Sequence, residues 1–301
     1  AGMSGIGEIL YNLGYTVSGS DQSDSPTLRR LGSLGVHVFV GHDAINLVGA
    51  RYVVISTAVK PGNPELEGAR AKGLPIIRRS EMLAELMRLY SPVSVTGTHG
   101  KTTTTSLIAH ILTSQGLDPT VITGGIINDW GSNARLGAGR WMVVEADESD
   151  GTFVKIPTEI GVVTNIDPEH LDYFGTVERM HDEYETFLRN IPFYGLAVTC
   201  IDHHVVRTMV QKLGLRRDGR RLLTYGEAND ADLRLGPVTI EGSVTRFSAD
   251  LGPRVKGGAR KLIDWQVPIP GTHNALNALA AIAVATEVGL SDEQIKEAMA
   301  A

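Results

Sequence analysis

Cysteine is nearly absent: Cys200 is the single one among 301 residues. No disulfide can form within the chain, and the composition fits a reducing cytoplasm. Cys200 itself lies in the apolar run "LAVTCI", where a small buried hydrophobe is expected. Long hydrophobic runs are also missing. None approaches the roughly 20 residues that span a bilayer, so no membrane insertion is expected. Positive charge is not in excess, since 28 Lys and Arg face 34 Asp and Glu for a formal charge of −6. That balance excludes a general nucleic-acid-binding surface.

Glycine, by contrast, is plentiful at 34 residues, which points to many tight turns and close backbone approaches. The length accommodates two domains of ordinary size. Over residues 1–91, helices and short strands alternate with brief connections. The first helix, near 3–13, sets Met3, Ile6, Ile9, Leu10 and Leu13 on one face. The strands "YTVSGSD", "VHVFVG", "YVVISTAV" and "LPIIRR" are interleaved with helices near 26–34, 64–72 and 80–90. A second block, 92–301, alternates in the same way. Its strands are "VSVTG", "TVITGG", "WMVVEAD", "EIGVVTNID" and "LAVTCI", with helices at 102–115, 176–190 and 203–213. From 221 to 269 the segments are short and β-like. The helix "NALNALAAIAVATEVG" is apolar nearly all round and is expected to be buried. The whole reads as α/β, with helices on the faces of mainly parallel sheets.

The sequence opens on "AGMSGIG", a glycine-rich turn with no strand before it. Such a turn follows a strand in a βαβ unit, so residues N-terminal to Ala1 are expected. The turn would offer backbone N–H groups to a diphosphate, and Asp21, ending the next strand, sits where dinucleotide-binding folds place a ribose contact.

The stretch "VTGTHGKTTTT", residues 95–105, ends a strand, turns through glycines and enters a helix. Four consecutive threonines cost that helix about 2 kcal/mol in propensity. The gain is chemical. Backbone N–H groups of Gly97, Thr98, His99 and Gly100 and the helix N-terminus can hold phosphates. Lys101 places a positive charge on the terminal phosphates, and Thr102 and Thr103 offer hydroxyls to a cation or a phosphate. Val95 stands where the usual phosphate-loop pattern has its first glycine, so this is a shorter variant.

Two acidic motifs end apolar strands. "WMVVEADESD" supplies Glu145, Asp147, Glu148 and Asp150, any of which could bind Mg²⁺ beside a phosphate loop. "VVTNIDPEHLDYFG" brings Asn165, Asp167, Glu169, His170 and Asp172 to the same edge, with His170 a metal or phosphate contact. No second histidine or cysteine gives it zinc spacing. His203 and His204 read as a solvated helix start. In "PGTHNALNALAA", Asn274 and Asn277 are three apart and share a helix face. They fit either a helix cap or amides that read the edge of a base, with His273 beside them.

Taken together, "GMSGIGEILYNLGYTVSGSD", "GTHGKTTT", "EADESDGTF", "NIDPEHLDYFG" and "HNALNALAA" resemble the Mur ligase family, in that family's order and over essentially the whole chain. The resemblance implies a Rossmann-like UDP-sugar-binding domain over 1–91, lacking its first strand. A P-loop-type ATP-binding central domain follows over 92–301. A third, C-terminal domain of the same chain is expected beyond it. The implied reaction uses ATP and Mg²⁺ to join L-alanine to the muramic acid carboxylate of UDP-N-acetylmuramate through an acyl phosphate. Lys101 would hold the β- and γ-phosphates. Thr102 and Glu145 would bind one Mg²⁺ and His170 a second. His273, Asn274 and Asn277 would contact adenine and ribose. Gly2, Met3, Ser4, Asp21 and the turn Ser56, Thr57, Ala58 would contact the uridine diphosphate, and Ser132, Asn133 and Arg135 the muramoyl group. Several family members use a carbamylated lysine at the second metal. Phe187 stands at the aligned position here, so no modified lysine is expected.

Two alternatives remain open. A sister ligase attaches a preformed murein tripeptide to the same UDP-sugar, but its acidic motif would read "EADEYD". A dinucleotide-binding regulator or oxidoreductase with an added nucleotide domain would bind a nicotinamide through residues 1–91.

Overall fold

A computed structural model describes residues 2–56, 58–127, 132–149 and 151–300. In chain order the elements are α1 (Gly2–Asn12), β1 (Ser18–Asp21), α2 (Pro26–Leu34), β2 (His37–Val40), β3 (Val53–Ile55), α3 (Pro64–Ala71), β4 (Ile76–Arg78) and α4 (Arg79–Met87). They continue with β5 (Ser91–Thr96), α5 (Lys101–Ser114), β6 (Thr120–Ile127), β7 (Ser132–Arg135), β8 (Trp141–Glu145), β9 (Ile160–Val163), α6 (Leu171–Phe174) and α7 (Val177–Asn190). The last are β10 (Leu196–Cys200), α8 (His204–Leu213), β11 (Arg221–Gly226), β12 (Leu233–Glu241), β13 (Val244–Leu251), β14 (Arg260–Val267), α9 (Thr272–Val288) and α10 (Asp292–Ala300). The chain divides into two compact units, 1–89 with 120–137, and 90–119 with 138–301.

In the first unit, β1 pairs with β2 and β3 with β4, both in parallel, while β6 and β7 form an antiparallel pair. Local chemistry sets the helix ends. Ser25 caps α2 by accepting from the Leu28 N–H, and Pro26 takes the first position, where its missing N–H costs nothing. Asn63 and Pro64 repeat the device at α3. Ile6 and Ile9 of α1 are fully buried, as the periodicity predicts.

In the second unit the strands lie in the order β14-β13-β12-β11-β10-β9-β5-β8. All neighbours from β8 to β12 are parallel, and only β12-β13-β14 is an antiparallel meander. The β-like region 221–269 is therefore an extension of the parallel sheet. Val93, Val95, Val143, Val162 and Val198 are buried, which fits strands covered on both faces. The helix α9 is buried from Asn274 to Thr286 except at Leu276. Its alanines let α5 and the sheet approach closely, which explains an apolar helix with no polar stripe. Cys200 ends β10 inside this core, and burial pushes its thiol up to about 11. Among the described residues no helix is long and apolar enough to cross a membrane.

Candidate nucleotide site

The sheet order explains how distant motifs meet. β5 lies between β9 and β8, with Val95 opposite Glu145 and Thr96 opposite Val163. The segments leaving all three carboxyl ends therefore emerge side by side, where open α/β sheets place their ligands. The loop 97–100 is stitched to the segment after β9. His99 N–H donates to Asn165 Oδ1 at 2.7 Å, and the His99 carbonyl accepts from Thr164 Oγ1 at 2.7 Å and Asn165 Nδ2 at 2.9 Å. Asp167 N–H donates to Thr98 Oγ1 at 2.8 Å. Gly97 has φ of +130°, and a Cβ there would lie 2.2 Å from Thr164 Oγ1, so only glycine fits. Gly100, at φ +82°, opens α5 with no side-chain cap, leaving the N-terminal N–H groups of the helix available for an anion.

Lys101 turns back over this loop. Its ammonium donates to the Gly97 carbonyl at 2.7 Å, the Thr98 carbonyl at 3.2 Å and Glu148 Oε1 at 2.8 Å. Thr102 Oγ1 lies 3.0 Å from each carboxylate oxygen of Glu145. The threonine run is not all ligand. Successive helical residues rotate by about 100°, so Thr104 and Thr105 point inward and are fully buried. Thr104 Oγ1 donates to Asn277 Oδ1 at 3.2 Å, and Asn277 Nδ2 donates to Asn274 Oδ1 at 3.2 Å. Asn274 Nδ2 in turn donates to the Pro270 carbonyl at 2.8 Å. The two amides share a face, as their spacing predicts, and they tie α5 to the start of α9. His273 stands exposed on the same first turn.

The acids of "EADESD" separate by burial. Glu145 is half-buried, Asp147 is exposed and Glu148 is only 2% exposed. Burial pushes the Glu148 carboxyl above the usual carboxylate range, and the Lys101 ammonium partly offsets that rise. Among the described residues its Oε2 has no hydrogen-bond partner. Glu148, Glu169 and His170 each offer a ligand atom, all within 4.8 Å of one another. Two carboxylates and an imidazole, one carboxylate oxygen being buried and unpartnered, form a donor set that fits a hard divalent cation such as Mg²⁺. His170 holds φ of +55°, a left-handed conformation unusual for its type, at the start of α6.

Sequence reasoning understated two residues here. Glu148 looked equivalent to three neighbouring acids, and only burial distinguishes it. His203 does precede α8, but it is not a solvated helix start. Its side chain is 18% exposed and its Nε2 sits 3.2 Å from Asp167 Oδ1, while Asp167 Oδ2 faces His99 Nε2 at 3.7 Å. Phe187 is in the core against Phe153, 5.7 Å between ring centroids.

In the first unit, Gly2, Met3 and Ser4 form the first turn of α1. Asp21 ends β1, and Ser56 and Ala58 follow β3, both at carboxyl ends of parallel strands. Thr57 lies outside the described residues. Ser132, Asn133 and Arg135 are on β7. Ser20 donates to Glu65 Oε2 at 2.6 Å and lies 3.0 Å from His42 Nδ1, a polar cluster that no spacing in the sequence signals.

Strand, glycine loop, lysine, hydroxyl and helix, flanked by carboxylates on the neighbouring strand ends, define a nucleotide-binding α/β domain of the P-loop type. Residues 95–285 match the Mur ligase middle domain, and residues 1–91 match the model described as Mur ligase family, catalytic domain. The chain belongs to the Mur ligase family. It is 56% identical over 300 residues to a UDP-N-acetylmuramate–L-alanine ligase of Rhodopseudomonas palustris, covering all of this chain and 63% of that protein. The chain thus spans about 63% of the length of the curated relatives it matches. Among solved structures, a UDP-N-acetylmuramate–alanine ligase from Thermotoga maritima superposes with a TM-score of 0.83 at 28% identity, over 99% of this chain and 65% of that one. A UDP-N-acetylmuramate:L-alanyl-γ-D-glutamyl-meso-diaminopimelate ligase from Neisseria meningitides gives 0.84 at 28% identity, over 99% and 94%.

Proposed function

We propose that this chain carries the UDP-sugar-binding part, 1–91, and the ATP-binding part, 92–301, of a cytoplasmic ligase. The ligase joins L-alanine to the muramic acid carboxylate of UDP-N-acetylmuramate in peptidoglycan precursor synthesis. The observation that carries this reading is the convergence of Lys101, Thr102, Glu145, Glu148 and His170 at three adjacent strand ends. It occurs in a chain that is 56% identical over its whole length to 63% of a relative bearing that activity's name.

In this reading a muramic acid carboxylate oxygen attacks the γ-phosphorus of ATP, ADP leaves, and an acyl phosphate forms. The amine of L-alanine then attacks the acyl carbon, and phosphate leaves. Such chemistry is mostly positioning and charge neutralisation. Lys101 holds the β- and γ-phosphates, and the N–H groups of the loop and of the first turn of α5 cradle them. Thr102 and Glu145 would hold one Mg²⁺, and His170 with Glu148 and Glu169 a second. Bound there, Mg²⁺ neutralises developing charge on phosphate and carboxylate oxygens. His273, Asn274 and Asn277 line the adenosine end. Gly2, Met3, Ser4, Asp21 and the turn after β3 serve the uridine diphosphate, and Ser132, Asn133 and Arg135 the muramoyl group.

The tripeptide-attaching ligase is the second reading, favoured by the Neisseria likeness. Ser149, where that enzyme's motif is expected to carry tyrosine, argues for L-alanine. The test supplies the full-length protein with ATP, Mg²⁺ and UDP-N-acetylmuramate, plus either L-alanine or the tripeptide, and measures phosphate release. Release with L-alanine alone is expected. Release only with the tripeptide transfers the chain to the second reading. Nicotinamide binding by residues 1–91, without UDP-sugar binding, would remove both.

A further inference from the structure

An ammonium has three N–H donors, and all three of Lys101's are committed inside the protein: to the Gly97 carbonyl, the Thr98 carbonyl and Glu148 Oε1. None is left over for a phosphate. The carbonyls belong to the loop itself, whereas Glu148 comes from the neighbouring strand end and carries the charge. The pair is well enclosed, with side-chain exposures of 15% for Lys101 and 3% for Glu148. Charges so placed interact more strongly than exposed ones and are little screened by salt.

We propose that Glu148 is a positioning residue that holds Lys101 folded over its own loop and competes with the nucleotide's terminal phosphates for it. Phosphate oxygens reach Lys101 by taking one of these three donors, and of the three only the one to Glu148 is held by a competing negative charge. The exchange trades one anion for another on a single cation and leaves Glu148 as a buried negative charge near the arriving phosphates. Its Oε1 then joins Oε2, which already has no partner among the described residues. Glu148 therefore lowers the affinity of the loop for nucleotide unless another positive charge takes Lys101's place beside it. Glu169 and His170 stand within ligand distance to help hold one. The inference rests on the nucleotide-loop reading and gives Glu148 a second part, toward Lys101, beside its place at the second cation.

The test is nucleotide binding to the full-length protein, measured by calorimetry with the β,γ-imido analogue of ATP in excess chelator. Glu148→Gln keeps the shape and the acceptor oxygen but removes the charge. It is expected to tighten metal-free binding about tenfold. In a Lys101→Met background the same substitution should tighten binding by clearly less, because only the repulsion between Glu148 and the phosphates is then relieved and there is no ammonium to compete for. A merely structural Glu148 predicts the reverse: weaker binding in Glu148→Gln with or without Lys101. Equal or weaker metal-free binding by Glu148→Gln overturns the proposal. Should that variant not fold, the ammonium resonance of Lys101 in the unsubstituted chain decides. It should be protected from exchange in the free protein and coupled to a carboxylate, and should lose that coupling when the analogue binds. A coupling that persists in the complex also overturns it. If the unsubstituted chain binds no nucleotide at millimolar concentration, the nucleotide reading itself fails and the latch falls with it. A failure confined to Glu148→Gln leaves that reading intact.

Discussion

Thr102 Oγ1 lies 3.0 Å from both oxygens of Glu145, so one hydroxyl spans a carboxylate delivered from a different strand. A hydroxyl and a carboxylate this close can share one hard cation with a phosphate between them. Thr102→Val keeps the volume and the β-branch but removes the oxygen. In the full-length protein we expect turnover to fall about a hundredfold, roughly 3 kcal/mol. Thr102→Ser should restore most of it. Full activity in the valine variant would sink the metal role.

Lys101→Ala removes the cation that faces the phosphates in the proposed reaction. Turnover should fall about a thousandfold, roughly 4 kcal/mol, with far-UV circular dichroism retained because the apolar core is untouched, and the urea midpoint lowered because the buried Glu148 carboxylate loses its partner. An active alanine variant would end the phosphate-loop reading.

His170 occupies a left-handed backbone conformation at φ +55°. Asparagine tolerates that region better than histidine does. His170→Asn should therefore leave the melting temperature unchanged or slightly raised, while the Mg²⁺ concentration for half-maximal activity rises at least tenfold. A variant that loses stability and keeps its Mg²⁺ dependence would show that the histidine is there for the fold.

Phe187 is 1% exposed and packed beside Phe153 and Ile191 near Gly161, so it is a core residue and not a surrogate metal ligand. Phe187→Ala should cost about 3–5 kcal/mol of stability, read from urea denaturation. Mass spectrometry of the native protein should find no carbamate on any lysine. One found beside His170 would contradict this account of the second metal.

Cys200 supplies a pH test. Burial pushes its thiol up to about 11, so it ionises first in the unfolded chain. Its contribution is whole below the ordinary thiol range, near about 8.5. It is lost as the pH climbs from there to about 11, and then levels off. The loss is on the order of 3 kcal/mol. Urea midpoints should fall more steeply with rising pH in the parent than in Cys200→Ala. Parallel slopes would show that the thiol is not protected.

The sequence made the α/β architecture legible because apolar strands and helices alternate at the right lengths. The burial of α9 was legible too, since a helix without a polar stripe has no face to give to water. Lys101, Thr102 and Glu145 could be placed near one another because strand ends of a parallel sheet converge. Glu148 could not be separated from Asp147 by composition, since the difference is one of enclosure. His203 reads as a solvated helix start in sequence because its partner, Asp167, is supplied by another loop. Asn274 and Asn277 were seen to share a face, but their link to Thr104 depends on how α9 packs against α5.

Because β5 is hydrogen-bonded to β9 on one side and β8 on the other, no local segment of chain contains the site. Three stretches distant in sequence must find their register before Lys101 meets Glu148 or Thr102 meets Glu145. The loop-closure entropy for those long-range pairings is spent before any ligand contact exists. Partly folded chains should therefore bind nucleotide no better than unfolded ones. Nucleotide at a hundred times its dissociation constant should stabilise the native state by about 2.7 kcal/mol. Its binding then reports the cooperative folding of residues 90–119 and 138–301 as one body, and ligand-dependent melting doubles as an assay for a correctly assembled sheet.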